Sequence, residues 1–92
     1  VNVSGWATEL LQRHADAVAS ARIDDVHALV ADGEGWLAAY DLFRDGMDDG
    51  WLTTTDLSEA LGLARAGAFS KFSADVERKA ARALANRGRI AL

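Results

Sequence analysis

The chain has 92 residues, half of them apolar, with no Pro, no Cys and a net charge of −4. That length holds one domain, and a domain so short buries only about 60–65 % of its unfolded surface, so a partner or a second copy would help stabilise it. The missing Cys excludes disulfides, thiolate nucleophiles and Cys-based zinc sites and fits a reducing, cytoplasmic setting, while no apolar run approaches the ~20 residues of a membrane span and no signal-peptide pattern opens the chain.

Abundant Ala and absent Pro favour helix, and five helical segments follow from period and caps. The first is expected from just after Ser4 to about Arg22, with Trp6, Leu10, Ala17, Val18 and Ala21 as its apolar stripe. A short second helix follows Asp24 or Asp25, either of which is a competent cap, and Gly33 and Gly35 stop it. The third runs from about Trp36 to Arg44 with Trp36, Tyr40 and Phe43 on one face, after which Gly46 and Asp48-Asp49-Gly50 make a turn. An extended Trp51-Leu52-Thr53 leads into a fourth helix. Thr53 with Asp56, or Asp56 with Glu59, has the spacing of a cap and its reciprocal acid, and Gly62 ends the helix. A connector over 63–70 precedes the fifth helix, which starts after Ser70 or Ser73 and ends at Arg87-Gly88, with Arg89 to Leu92 free to begin a strand.

The charge is unevenly spread. Residues 1–64 hold three basic and twelve acidic side chains, a net of −9, whereas residues 65–92 hold seven basic and two acidic, a net of +5. Such asymmetry signals a partner, or else attraction between the two halves or between copies. Most of the positive charge falls on the fifth helix. At about 100° per residue, Arg89, Arg82, Asn86 and Lys79 all lie within about a quarter turn of Arg78, while Val76, Ala80, Ala83 and Leu84 occupy the opposite side. Arg reads guanine, Asn reads adenine, and Lys or Arg pairs with phosphate, so this face suits the DNA major groove. Asp75 on the same arc would repel phosphate or accept a bond from cytosine. The plainer reading is a solvated face whose cations suit the helix dipole, and a third is a face for an acidic protein.

The run from Gly50 to Leu92, with Trp-Leu-Thr, the short helix Thr-Thr-Asp-Leu-Ser-Glu-Ala-Leu-Gly-Leu and the later Leu-Ala-Asn-Arg-Gly-Arg-Ile, resembles a winged helix-turn-helix DNA-binding domain over residues 36–92. It departs from that pattern in a connector longer than the usual 3–4 residues and in lacking a second wing strand. The resemblance implies a non-enzymatic DNA-binding module, a regulator or the DNA-contacting part of a larger replication or mobile-element protein. A first residue of Val rather than Met fits a chain processed or excised from something longer. Arg78, Lys79, Arg82, Asn86 and Arg89 would make the contacts, with Lys71 and Arg87 as phosphate neighbours, and no cofactor is called for.

Other motifs are weaker. The stretch from Asp45 to Asp56 resembles an EF-hand or dockerin calcium loop, with Asp45, Asp49, Thr53 and Asp56 as its oxygen donors. Met47 stands where a further oxygen belongs, and the alternative is an acidic turn that caps the next helix. His14 and His27 lack metal spacing and read as packed or surface residues. Phe69 and Phe72 flank Lys71 and anchor the connector more readily than they stack on a base. The expectation is thus a mostly α domain with a winged helix-turn-helix and at most a short β element. Its N-terminal helical pair, residues 1–32, covers it or mediates dimerisation. The rivals are a protein-interaction domain docking an acidic partner and a calcium-binding helix-loop-helix.

Overall fold

The structure is a computed structural model that describes residues 2–90, with side chains through residue 88. It contains helices α1 (Val3–Arg13), α2 (Ser20–Ala31), α3 (Gly35–Asp49), α4 (Thr54–Arg65) and α5 (Ser73–Ile90), with a 3-10 turn at Ser70–Phe72 leading into α5. Among the described residues there is no strand, so the expected β element is not found there. Arg89 and Ile90 continue the helix instead of opening a wing, and Ala91 and Leu92 lie outside the described residues.

The N-terminal expectation needs correction. Asn2, not Ser4, caps α1, its Oδ1 accepting the Gly5 amide at 2.6 Å. The helix also stops at Arg13, well short of Arg22. Local propensity in the Ala-rich 15–21 stretch is overruled by tertiary contacts. His14 leaves the helix, its ring bonding Asp56 at 2.7 Å and lying 4.7 Å from the Trp51 ring. A turn follows in which the Ala17 and Val18 amides both donate to the His14 carbonyl, and Val18 drops into the core. α2 therefore begins at Ser20 without a side-chain cap, and neither Asp24 nor Asp25 performs that role.

α3 is longer than the aromatic stripe suggests. It continues through Gly46 to Asp49 and stops at Gly50, whose φ of 77° is the left-handed value that a helix stop demands. Gly46 is a close-packing position, not a turn: a Cβ there would stand 2.5 Å from Leu52 Cγ. α4 opens with the Thr53–Asp56 capping box and runs past Gly62 to Arg65.

α1 and α2 both pack on α3, and α4 packs along α5. The connector joins the two groups. Phe69, fully buried, meets Trp6 edge-on at 5.9 Å and lies 6.5 Å from Phe43. Phe72 stacks on Tyr40 at 4.1 Å and 8°. One continuous apolar core thus draws on all five helices, with Trp6, Leu10, Val26, Phe43, Leu57, Val76 and Ala80 at its centre. From residues 1–32, Trp6, Leu10, Val18 and Val26 supply part of that core.

Candidate nucleic-acid interface

α5 buries Val76 and Ala80 and leaves the opposite side to solvent. Arg78, Lys79, Arg82 and Asn86 are all exposed there, as the helical period predicts. The Arg78 and Lys79 side chains are 73 % and 45 % exposed even though both engage Asp75. Among the described residues Arg82 has no ion-pair partner. Arg89 belongs to the helix, but its side chain lies outside the described residues.

A groove of about 380 Å³ runs between α5 and α3. Lys79, Arg82 and Asn86 line one wall and Arg44 of α3 the other, over an apolar floor that includes Phe43, Met47 and Ala83, with Asp48 also lining it. Arg44 is a cation that the sequence reading missed. Its guanidinium lies 5.8 Å from the centre of the Tyr40 ring. That i, i+4 spacing was legible, but the placement of α3 beside α5 was not. The Lys71 ammonium lies 5.3 Å from the centre of the Phe72 ring. The aromatic pair therefore carries one cation on each member.

Arg87 is occupied differently. Its guanidinium donates to the Leu52 carbonyl and to the Thr54 hydroxyl at 3.2 Å, so it braces the start of α4 against α5. Asp75 holds both oxygens in use. One accepts from Arg78 at 2.6 Å; the other meets Lys79 at 3.0 Å and faces the Tyr40 hydroxyl at 3.5 Å. The Lys79 ammonium, then Arg78, hold its carboxyl below the usual carboxylate range despite partial desolvation.

Two of the three cations in residues 1–64, Arg13 and Arg22, are used internally. Arg22 meets Asp45 at 2.7 Å, Asp41 at 3.3 Å and Asp25 at 3.5 Å, and the Asp45 bond is the main reason its pKa is raised. Arg13 bonds Glu59 at 2.7 Å, Asp56 at 2.9 Å and Glu9 at 3.0 Å. Among the described residues no cation of α5 pairs with an acid of residues 1–64; Arg78 and Lys79 pair with Asp75 of the same helix.

The four oxygen donors expected for calcium are not brought together. Asp45 lies within α3 and faces Arg22, and Asp49 is the exposed last residue of that helix. The Thr53 hydroxyl caps α4, and Asp56 faces Arg13 and His14. The acids fall on a helix, where an EF-hand requires a loop that folds back on the ion. Among the described residues no group of three or more His, Asp or Glu side chains is arranged to hold a metal. No helix among them is long and apolar enough to cross a membrane.

No protein-family model, curated protein or solved structure matches this chain.

Proposed function

We propose that this domain is a non-enzymatic DNA-binding module that lays the outer face of α5 against duplex DNA. α4 and α5, packed along one another, take the part of a helix-turn-helix pair with α5 as the helix entering the major groove. The observation that carries the reading is the grouping of Arg78, Lys79, Arg82 and Asn86 on one exposed side of α5, joined across the groove by Arg44. Arg82 and Asn86 suit base edges, whereas Arg44, Lys71, Arg78 and Lys79 suit phosphates. Such a module serves a regulator, or the DNA-contacting part of a larger replication or mobile-element protein.

Binding to a random-sequence duplex, titrated with salt, tests this. With three or four phosphates neutralised, the log–log slope of affinity against salt is expected near −3. Arg82→Ala should weaken binding about five- to tenfold. Arg87→Ala should lower stability by about 1 kcal/mol, through its lost bonds to Leu52 and Thr54, and leave the slope unchanged. Absence of duplex binding at about 50 mM salt would overturn the proposal.

The apolar floor of the α3–α5 groove favours a second reading, in which an acidic amphipathic segment of a partner protein docks there. That reading predicts saturable binding of an acidic, Leu-rich peptide, lost on Met47→Glu, with duplex DNA left unbound.

A further inference from the structure

Asp75 is the only carboxylate on the cationic arc of α5, and three donors converge on it. Arg78 Nη2 stands 2.6 Å from one oxygen, while Lys79 Nζ at 3.0 Å and the Tyr40 hydroxyl at 3.5 Å approach the other. The donors come from two elements. Tyr40 belongs to α3 and is held by its stack on Phe72 at 4.1 Å, so its hydroxyl is a fixed point. Arg78 and Lys79 belong to α5 and remain largely exposed despite their pairing. The Asp75 side chain is itself 28 % exposed, so it reaches solvent and can be displaced. Two cations and a hydroxyl aimed at one anion form a cradle that a phosphate group, with its own oxygens spread over a similar span, satisfies equally well.

We propose that Asp75 is an internal counter-anion occupying a cradle that a DNA phosphate takes when the protein binds. The inference rests on the DNA-binding reading and sharpens it: association exchanges an intramolecular carboxylate for an intermolecular phosphate. The exchange has two consequences. Arg78 and Lys79 are kept ordered in the free protein, and their attraction for any stray polyanion is discounted by the charge they already face. A duplex that docks α5 along its whole length, through Arg82, Asn86 and Arg44, gains enough to displace the carboxylate; a loosely bound one does not. Asp75 therefore sets the affinity threshold, a selectivity role without contact to a base.

Asp75→Asn and Glu77→Gln, each compared with wild type on a random-sequence duplex over a salt series, decide the matter. Glu77 lies two residues further along the same helix and pairs with Arg65 at 3.5 Å, away from the cradle, so its variant removes equal charge without opening the site. Asp75→Asn is expected to tighten binding about three- to tenfold at about 0.1 M salt and to steepen the salt slope by up to about one, because no carboxylate is left to recapture a cation. Glu77→Gln should change affinity by less than about twofold. Thermal melting of both variants checks that the fold is retained. Unchanged or weaker binding by Asp75→Asn would overturn the exchange, as would an equal gain from Glu77→Gln, which would mark a general charge effect. If neither wild type nor Asp75→Asn binds duplex at low salt, the DNA-binding reading itself is wrong and the exchange falls with it.

Discussion

Asp56 is fully buried, the sole buried charged residue among those described, and every part of it is used. One oxygen accepts from Arg13 at 2.9 Å; the other accepts the Thr53 amide at 2.9 Å and meets His14 Nε2 at 2.7 Å. Its own amide donates to the Thr53 hydroxyl at 3.0 Å, completing the capping box of α4. A single side chain thus starts α4, ends α1 and pins the turn between α1 and α2. Truncation leaves the Thr53 amide and the His14 ring without their partner and takes from Arg13 one of its three carboxylates, so Asp56→Ala is expected to cost about 3 kcal/mol, more than a surface ion pair is worth. For a domain of this size that is a fall of about 12–20 °C in melting temperature. The charge itself gives a pH signature. Burial pushes the Asp56 carboxyl up, but the Thr53 amide, His14 and Arg13 outweigh it, and the net shift is downward. A carboxyl held lower in the folded state adds stability that is complete above its unfolded value of about 3.9 and is lost as pH falls through the folded one. Chemical denaturation from pH 5 downward should therefore show an acid limb that Asp56→Asn flattens; an unaltered limb would show that the charge contributes nothing.

At the scale of elements, the features legible in the sequence are those set by neighbours. The Thr53–Asp56 box, the start of α5 after Ser70 or Ser73, and the shared face of Arg78, Lys79, Arg82 and Asn86 all follow from spacings within one segment. The misread features depend on distant residues. α1 ends at Arg13 because His14 is drawn to Asp56, 42 positions away. Arg44 joins the basic groove because Phe72 docks on Tyr40. Glycines show the same division most sharply, since Gly46 and Gly62 both read as helix breakers and both lie inside helices. At Gly46 the helix survives because Leu52 packs where a Cβ would be, 2.5 Å from Leu52 Cγ. At Gly62 nothing lies within 4 Å of an added Cβ and the backbone is ordinary helix. Gly46→Ala should accordingly destabilise by about 1–3 kcal/mol through overpacking, whereas Gly62→Ala should stabilise by about 0.5–1 kcal/mol through lost unfolded-state entropy. Urea unfolding of the two variants gives opposite displacements of the midpoint if these helices are correctly bounded; displacements of the same sign would place one glycine outside its helix.

For the molecule as a whole, DNA binding by a chain of net charge −4 requires that the acids act at a distance and the cations in contact. The potential of an exposed acid falls off over about 10 Å at 0.1 M salt and reaches further as salt is diluted. Asp16, Asp24 and Asp32 are exposed, stand on or beside α2, and have no ion-pair partner among the described residues. α2 packs on α3 and is not among the elements packed against α5, so these acids stand off the α5 face itself. Under the proposed DNA-binding reading they would repel an approaching polyanion without touching the bound one. Replacing all three with Asn leaves a net charge of −1, read from the −4 of the chain. The association rate with duplex should then rise about two- to tenfold at about 50 mM salt and converge on wild type near 0.5 M. The dissociation rate should stay as it was, because charges outside a contact steer encounter and contribute little to holding the complex. Stopped-flow measurement separates the two rates. A change confined to dissociation, or one that persists at high salt, would put α2 in the interface and require the bound duplex to lie across a different face from the one that α5 presents.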